Sequence, residues 1–266
     1  MIKAGFDFDT GRTVELPVPG DGGAHWVVGG SSGAGKTQFL HLLVAQLAQL
    51  EHMAIVVSDP AFMDFEPVWS PRASSIALGR QGAGWLLEQL ERELEWRLRE
   101  GRRLKVKRLP VNAELPRIVS VFDEIAMVTL GGVKGATNRL VDLANVGRKV
   151  NMGLVLGTQS PKATVLPRLV TEQCPVRVAF RTEEPEQTDS ILSTQRIKAH
   201  DISFSNPGEA FARLPSGGFA HIKTAFEDEE FFSNVAAATA CLTPVLPAGR
   251  GWMRLYDPYE QQEEEA

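Results

Sequence analysis

The chain has 266 residues, of which 43% are hydrophobic and 23% charged, and its formal net charge is −5. These values are typical of one large globular α/β domain, with or without a small extension, and they exclude a globally basic nucleic-acid binder. No apolar run approaches the ~20 residues of a membrane helix, and the first residues lack a signal-peptide core. Cys174 and Cys241 lack metal or redox spacing and are expected to be free thiols. We therefore expect a cytoplasmic protein with no membrane segment in this chain.

The chain begins with a pattern that predicts a short β-hairpin. Residues 5–9 alternate between apolar and polar side chains, residues 9–11 form a turn, and residues 13–16 resume an extended pattern. We expect this N-terminal segment to lead into the next strand, and it carries no residues with recognisable chemistry.

Residues 30–37 read Gly-Ser-Ser-Gly-Ala-Gly-Lys-Thr, which matches the phosphate-binding P-loop G-x-x-x-x-G-K-T. A strand pattern at 25–28 precedes it and a helical pattern at 39–45 follows, which is the context that this loop requires. Glycines let successive backbone N–H groups point at one cluster of phosphate oxygens, and the helix dipole adds to their effect. Lys36 is expected to contact the β- and γ-phosphates, and Thr37 to bind Mg²⁺. The predicted nucleotide-binding residues are Gly30, Ser31, Ser32, Gly33, Ala34, Gly35, Lys36, Thr37 and Gln38.

The segments after the P-loop helix predict two strands and a long helix. An apolar run at 53–59 ends at Asp59, which either faces a ligand at the strand end or only shapes the turn. Another strand and turn are predicted at 75–81. Residues 84–103 carry apolar side chains at helical spacing. The basic run 97–108 at the end of this helix is either a solvated face or a DNA contact.

Residues 117–124 run from an apolar strand into two acids, which is the pattern of a Walker B strand. Asp123 is expected to hold Mg²⁺, directly or through water. Glu124 is expected to orient and polarise the water that attacks the γ-phosphate. An Asp-Glu pair after an apolar strand is common by chance, but a pair that follows a P-loop is informative.

The second half of the chain predicts a helix over 133–150 and then a buried strand over 153–159. Gln159 ends that strand and is the candidate group that senses the γ-phosphate and contacts the water. Further strands are predicted at 176–181 and 219–224, and the chain is expected to be less ordered beyond them. Residues 260–265 are acidic, and we expect them to form a disordered tail.

The order of these motifs resembles the FtsK/SpoIIIE family of DNA-pumping ATPases, within the wider HerA–FtsK group. The resemblance runs from about Trp26 to Phe226. The stretches that carry it are HWVVGGSSGAGKT, IVVSDP, IVSVFDEIAMV and the most specific one, LVDLANVGRKVNMGLVLGTQSPKATVLPRLVTEQCPVRVAF. The later PGEAFAR resembles the family's turn and strand.

The resemblance implies an α/β fold, namely a RecA-like P-loop NTPase with a central, mostly parallel sheet flanked by helices. It also implies an ATPase that translocates double-stranded DNA with ATP and Mg²⁺. The working form would be a homo-oligomer, a hexameric ring around DNA with ATP between its subunits. On this basis the chain divides into an N-terminal β lead-in (1–24), the motor domain (25–240) and a C-terminal extension with the acidic tail (241–266).

The resemblance also assigns roles to particular side chains. Arg148 matches the family position proposed to act in trans on a neighbour's γ-phosphate, because a guanidinium stabilises charge on the transferring group. The alternative is a surface arginine at a helix end. The catalytic candidates are Glu124, Lys36, Arg148 and Gln159. Loops facing the hole of the ring would supply DNA backbone contacts, with Lys134, Lys162 and Arg168 as candidates.

Two positions depart from the family pattern. The chain has Thr-Gln-Ser-Pro where the family often has Thr-Gln-Arg-Pro, and Ala61 stands where a basic residue often follows Asp-Pro. It also shows no membrane-spanning N-terminal region and no evident winged-helix domain. These two absences argue against a septum-anchored chromosome pump and favour a stand-alone motor for plasmid or mobile-element transfer or for phage DNA, with an excised motor domain as the other possibility. The alternatives are a genome-packaging or secretion-coupling ATPase of the same group, and a slow ATP-dependent switch or assembly protein.

Overall fold

The structure, a computed structural model, describes residues 1–22, 24–162 and 164–260. The strands of its sheet are β1 (Ile2–Asp7), β2 (Thr13–Leu16), β3 (Trp26–Gly29), β4 (Met53–Asp59), β5 (Ser75–Leu78), β6 (Arg117–Phe122), β7 (Met152–Thr158), β8 (Val176–Phe180), β9 (Glu209–Arg213), β10 (Phe219–Lys223) and β11 (Leu255–Tyr256). The α-helices are α1 (Lys36–Ala48), α2 (Glu66–Trp69), α3 (Gly79–Leu104), α4 (Ala126–Thr129), α5 (Ala136–Val146), α6 (Arg168–Thr171), α7 (Pro185–Leu192) and α8 (Glu229–Thr239).

Within the described residues, all eleven strands form one sheet in the order β11-β5-β4-β6-β7-β3-β8-β9-β10-β1-β2. Pairing is parallel from β11 to β8 and antiparallel from β8 to β2. The central strands β3, β4 and β7 are buried along their whole length, as expected when helices cover both faces of a parallel sheet. The predicted fold class is therefore confirmed.

Two apolar clusters pack on the two faces of the sheet. On one face, α1 contributes Phe39 and Leu43, and α8 contributes Phe232. On the other face, α3 contributes Leu86 and α5 contributes Leu140. The amphipathic pattern of α3 is the one that the sequence predicts, since the apolar side chains of a helix at this spacing share one face.

Both ends of the chain add strands to the same sheet. The N-terminal hairpin, β1 and β2, is antiparallel as predicted, and β1 also pairs with β10. At the opposite margin, β11 pairs in parallel with β5. The boundaries drawn at residues 24 and 240 remain predictions. Apart from Glu260, the predicted acidic tail lies outside the described residues.

Two predictions about helices need correction. The expectation of a less ordered chain beyond residue 224 is wrong for α8, an 11-residue helix whose N-cap Asp228 accepts a hydrogen bond from the Phe231 N–H. The helix predicted from Gly84 begins at Gly79 instead. Its first turns are glycine-rich and pack closely on β5, since a Cβ on Gly82 would lie only 2.8 Å from the carbonyl carbon of Ala77. In the described ranges, no helix has the length and apolar character needed to cross a bilayer.

Candidate functional site

The P-loop connects the buried strand β3 to helix α1. It lies where the parallel strands end, and we call this side of the sheet the carboxyl edge. The loop turns through left-handed backbone at Gly33 (φ 72°) and Gly35 (φ 106°), which glycine adopts without strain. Ser31 donates from its N–H and its hydroxyl to the carbonyl of Arg181, at 2.8 and 3.0 Å. Strand β8 thereby braces the loop that is expected to hold phosphates.

Lys36 and Asp123 meet at the start of α1. The Lys36 ammonium donates to the backbone carbonyl of Asp123 at 2.7 Å and forms an ion pair with its carboxylate. Thr37 Oγ1 lies 3.2 Å from Asp123 Oδ1. Lys36 and Asp123 are each only 4% exposed. The structure therefore brings together the P-loop lysine, the hydroxyl and the Walker B aspartate that the sequence places 86 or 87 residues apart.

The Glu124 carboxylate is held by two backbone donors. The N–H of Gln159 donates to Oε2 at 2.7 Å, and the N–H of Ala126 donates to Oε1 at 3.2 Å. Strand β7 lies between β6 and β3, which puts Gln159 between the P-loop and the Walker B pair. A Cβ on Gly157 would lie 2.4 Å from the Asp123 carbonyl, so only glycine permits this approach. Glu124 and Gln159 are therefore positioned together at the carboxyl edge.

A cavity of about 510 Å³ lies against the P-loop. Residues 31–33 and 35–38 and Gln159 form one side of it. The opposite side consists of Pro207, Gly208 and residues 223–226, for which no sequence pattern indicated a role. These segments touch the loop directly, since a Cβ on Gly35 would lie 2.7 Å from the Gly208 nitrogen. The only sequence signal for this wall was the turn in PGEAFAR, which indicates a hairpin and not a ligand.

Arg148 lies at the amino edge, where the parallel strands begin, in the 3₁₀ turn Gly147–Val150 that precedes β7. Gln159 follows the other end of β7. The seven residues of this strand span roughly 23 Å. Arg148 is exposed and borders a cleft of about 300 Å³ together with Lys107, Arg108 and Lys149. It cannot reach the P-loop of its own chain.

The three DNA-contact candidates do not share one face. Lys134, between α4 and α5, and Lys162, after β7, are exposed near the carboxyl edge. Arg168 begins α6 near the start of β8 and pairs with Glu172 at 2.8 Å. No sequence pattern pointed to Arg80, which is exposed at the start of α3. Arg80 lies beside the loop that contains Lys134, since a Cβ added to Gly131 in that loop would be 3.3 Å from the Arg80 Cγ.

Asp59 shapes a turn. It is fully buried, and its carboxylate accepts hydrogen bonds from the N–H groups of Ala61, Phe65 and Glu66, at 3.2, 2.8 and 3.0 Å. These bonds satisfy backbone donors at the start of α2. The structure thus favours the turn role over the ligand role that the sequence left open.

The basic end of α3 is largely paired with neighbouring acids. Arg99 lies 3.8 Å from Glu95, and Arg103 pairs with Glu100. Arg97 is buried and donates to Glu93 at 2.7 Å. Pairs three or four residues apart are common on solvated helices. This arrangement favours the solvated-face interpretation for the exposed Arg99 and Arg103, whereas Arg97 is part of the core.

Two histidines are buried, His41 on α1 beside the site and His25 at the amino edge. Burial lowers the pKa of His41, on α1, to about 4, and its Nδ1 accepts a hydrogen bond from Trp69 Nε1 at 2.8 Å. Burial likewise lowers the pKa of His25, which precedes β3, to about 4, with Arg148 contributing in the same direction. Both side chains are therefore neutral at pH 7.

Among the described residues, no cluster of three or more His, Cys, Asp or Glu side chains has the arrangement of a metal site. Mg²⁺ nevertheless fits Thr37 and Asp123, because it takes oxygen ligands and is commonly held by one carboxylate together with substrate phosphates and water. The 3.2 Å approach of the Thr37 hydroxyl to the Asp123 carboxylate supplies those oxygens at one point. Both cysteines are free, as predicted, with Cys174 buried and Cys241 exposed.

Comparison with known proteins identifies relatives named DNA translocase FtsK. The relative from Corynebacterium efficiens is 25% identical over 253 residues, covering 83% of this chain and 26% of the relative. The relative from Mycobacterium tuberculosis is 24% identical over 271 residues, covering 91% of this chain and 30% of the relative. The chain therefore spans less than a third of the length of these two relatives. No known family model matches it.

Two solved structures share the fold. The pCW3 conjugation coupling protein TcpA, in a monomer form with ATPγS, superposes with a TM-score of 0.74 at 21% identity, covering 89% of this chain and 69% of that one. The cytoplasmic domain of the type VII secretion ATPase EccC from Thermomonospora curvata superposes with a TM-score of 0.75 at 21% identity, covering 94% and 32%. The fold is that of a P-loop NTPase. Over most of its length the chain is similar to proteins named DNA translocase FtsK, which confirms the resemblance seen in its sequence.

Proposed function

We propose that this protein hydrolyses ATP to move double-stranded DNA, as a cytoplasmic ring of six copies that binds ATP between neighbours. The observation that carries the proposal is the convergence of Lys36, Asp123, Glu124 and Gln159 at one sheet edge in a homologue of DNA translocase FtsK. The cytoplasm supplies both ATP and duplex DNA. The proposal concerns the chemistry of the motor and not the origin of its DNA.

Binding begins at the P-loop. Its backbone N–H groups and the amino end of α1 attract the anionic phosphates, and the Lys36 ammonium contacts the β- and γ-phosphates. Thr37 and Asp123 would hold Mg²⁺, which when bound neutralises charge on the phosphate oxygens. Asp123 also keeps Lys36 inside the site, because an ion pair and a carbonyl bond anchor the ammonium.

Hydrolysis needs a positioned water. Glu124 accepts a proton from that water as it attacks the γ-phosphate, and the two N–H bonds to its carboxylate fix where the base lies. One of these bonds comes from Gln159, so a change at the end of β7 moves the base as well. The Gln159 side chain contacts the γ-phosphate or the water, and this couples nucleotide state to the loop that contains Lys162.

Arg148 acts on the ATP of a neighbouring copy. A guanidinium stabilises charge that spreads over the transferring phosphoryl group. Its position at the amino edge supports action in trans, since one strand length separates it from its own P-loop. Each site is then complete only when two copies meet.

DNA contact falls to exposed cations near the carboxyl edge, namely Lys134, Lys162 and the adjacent Arg80. Such side chains meet phosphates without reading sequence, and several copies around a ring offset a net charge of −5 per chain. Arg168 lies apart from these three and is paired, so it is the weakest DNA candidate.

The test is ATP hydrolysis by the purified protein with and without long double-stranded DNA, at low and moderate salt. Stimulation by DNA that fades as salt rises is expected, because phosphate contacts release counterions. The control is Lys36→Ala, which must abolish the stimulated rate.

Two outcomes would overturn the proposal. Hydrolysis that is indifferent to DNA at every salt concentration would point to a motor acting on protein or to another substrate. Tight ATP binding with negligible turnover, with and without DNA, would instead indicate a switch or assembly protein.

A further inference from the structure

The far wall of the nucleotide cavity carries an exposed aromatic ring. Phe226 follows β10 and is 81% exposed, yet it lines the cavity together with P-loop residues such as Lys36 and Thr37. Among the described residues, no aromatic ring stacks on it. An open apolar ring at the mouth of an anion-binding loop can offer a flat ligand a surface to stack on.

Hydrogen bonds on both sides of Phe226 hold its segment of the chain beside the P-loop and α1. The Gly208 N–H donates to the Ala34 carbonyl at 2.9 Å, and the Thr224 N–H donates to the Gly208 carbonyl at 2.9 Å. On the other side of Phe226, Gln38 Nε2 donates to the Glu227 carbonyl at 2.6 Å. The segment that carries the ring is therefore attached to the loop both before and after it.

The geometry of a nucleotide leaves one direction for its base. The phosphates lie on the P-loop, and the side towards β6 is closed by the buried Lys36–Asp123 pair. The rest of the cavity extends past Gly208 to residues 223–226. We propose that Phe226 is the stacking platform for the nucleobase, a subsite that rests on the proposed ATPase function and defines its nucleotide preference.

Stacking on one ring contacts the flat face of a base, which all bases have, and not the edge groups that distinguish one base from another. The polar side chains beside Phe226 are already bonded to backbone carbonyls, Lys223 Nζ to Pro207 at 2.7 Å and Thr224 Oγ1 to Gly208 at 3.2 Å. They are poorly placed to distinguish adenine from guanine. The site therefore prefers purines, which stack over a larger area than pyrimidines, and it accepts ATP and GTP with similar affinity.

The experiment measures binding by calorimetry for ATPγS, GTPγS, UTP and inorganic tripolyphosphate. The proteins are wild type, Phe226→Ala, Phe226→Trp and the matched control Phe8→Ala, an exposed phenylalanine at the β1–β2 turn that does not line the cavity. Phe226→Ala is expected to weaken ATPγS about tenfold, in line with alanine substitution at base-stacking residues. Tripolyphosphate binding should stay unchanged, Phe226→Trp should restore affinity, and Phe8→Ala should bind as wild type.

Three outcomes would overturn the inference. They are unchanged ATPγS binding in Phe226→Ala, an equal loss of tripolyphosphate affinity, and more than hundredfold preference of the wild type for ATPγS over GTPγS. None depends on DNA. Absence of DNA-stimulated hydrolysis would remove the translocase proposal and leave this subsite intact, whereas absence of base stacking would leave the translocase proposal intact.

Discussion

The charged side chains at the carboxyl edge of the parallel sheet are buried and paired, whereas those at the amino edge are exposed cations. At the carboxyl edge, Lys36 and Asp123 are buried and bonded to one another. At the amino edge, Arg148 is exposed beside three further cations around one cleft. Partners inside the chain satisfy the first set. In the second set, Arg108 pairs with Asp21 at 3.3 Å. The other three cations of that cleft are exposed and can meet an anion brought by another molecule.

This contrast shows why one copy holds only part of the proposed machine. The groups proposed to bind phosphate and activate water converge because parallel strands end at the same edge. A group at the start of a strand lies a full strand length away, whatever its role. Arg148 can therefore serve catalysis only if the amino edge of one copy meets the carboxyl edge of another. Substitutions at the two edges should accordingly have different consequences.

Removing the Arg148 guanidinium should slow hydrolysis of the ATP bound by the neighbouring copy. Arg148→Ala is expected to lower the DNA-stimulated kcat by about a thousandfold, the lower range for arginines that act in trans on phosphoryl transfer. ATP binding should change little, because the P-loop is intact. Steady-state hydrolysis and direct nucleotide binding measure the two effects.

Mixing two inactive variants separates trans action from damage to the fold. Arg148→Ala retains Glu124, and Glu124→Gln retains Arg148, so a mixed assembly contains some complete sites and should regain activity. Lys149→Ala, at the neighbouring exposed cation, is the control and should remain within a few-fold of wild type. Mixtures that stay inactive while each variant still assembles would refute the trans role.

Neutralising the base at the carboxyl edge should separate binding from chemistry. Glu124→Gln is expected to lower kcat at least about a hundredfold, the usual contribution of a positioned general base. The amide oxygen can still accept from the Gln159 N–H, so ATP affinity should stay within a few-fold. Rapid-quench hydrolysis and nucleotide binding provide the measurements. Glu114→Gln, in the exposed loop before β6, is the control, and near-normal turnover by Glu124→Gln would remove the assigned base.

Exposed cations near the carboxyl edge should set the salt dependence of DNA binding. Each of Lys134→Ala, Lys162→Ala and Arg80→Ala removes one cation proposed to contact a DNA phosphate, and each is expected to flatten the slope of log K against log salt by about 0.9. Arg99→Ala, at a paired cation on α3, should leave the slope unchanged. Fluorescence anisotropy on a labelled duplex at several salt concentrations measures it. Equal slopes for all variants would place the DNA-binding surface elsewhere.

The two buried histidines, His25 at the amino edge and His41 on α1, should make the free energy of unfolding depend on pH. His25 and His41 have folded pKa values of about 4, below the unfolded value of about 6.5, so the unfolded chain binds protons more readily. Stability from this source is complete above pH 6.5 and falls as the pH drops towards 4, by up to ~3 kcal/mol per histidine. Urea unfolding from pH 8 to 5 measures this loss. His41→Gln, which can still accept from Trp69, should flatten the profile, and His52→Asn, in the turn after α1, should not.

The local patterns of the sequence identified most of the proposed catalytic groups. The P-loop and the Asp123–Glu124 pair were recognisable because phosphate binding requires a fixed run of residues between a strand and a helix. Gln159 followed from the strand pattern before it. The sequence also allowed a ligand role for Asp59, but the structure favours a turn, in which the Ala61 N–H of the turn and the Phe65 and Glu66 N–H groups at the start of α2 all donate to the carboxylate.

Residues that act through distant contacts could not be recognised in this way. Phe226 is one phenylalanine among several in the sequence, and only the docking of Gly208 on Ala34 brings it to the nucleotide cavity. Arg80 precedes Lys134 by more than fifty residues, so no local pattern links the two. Such placements depend on which strands pair.

By itself, the sequence determined the chemistry of this protein: an anion-binding loop, two acids after an apolar strand, a polar strand end and a net negative charge. Those features depend on neighbouring residues, whose spacing sets local geometry directly. Only the tertiary structure decided which side chains share an edge and which are separated by a strand length. Strand order is set by packing between distant segments, so it alone places Arg148 opposite the P-loop and Phe226 beside it.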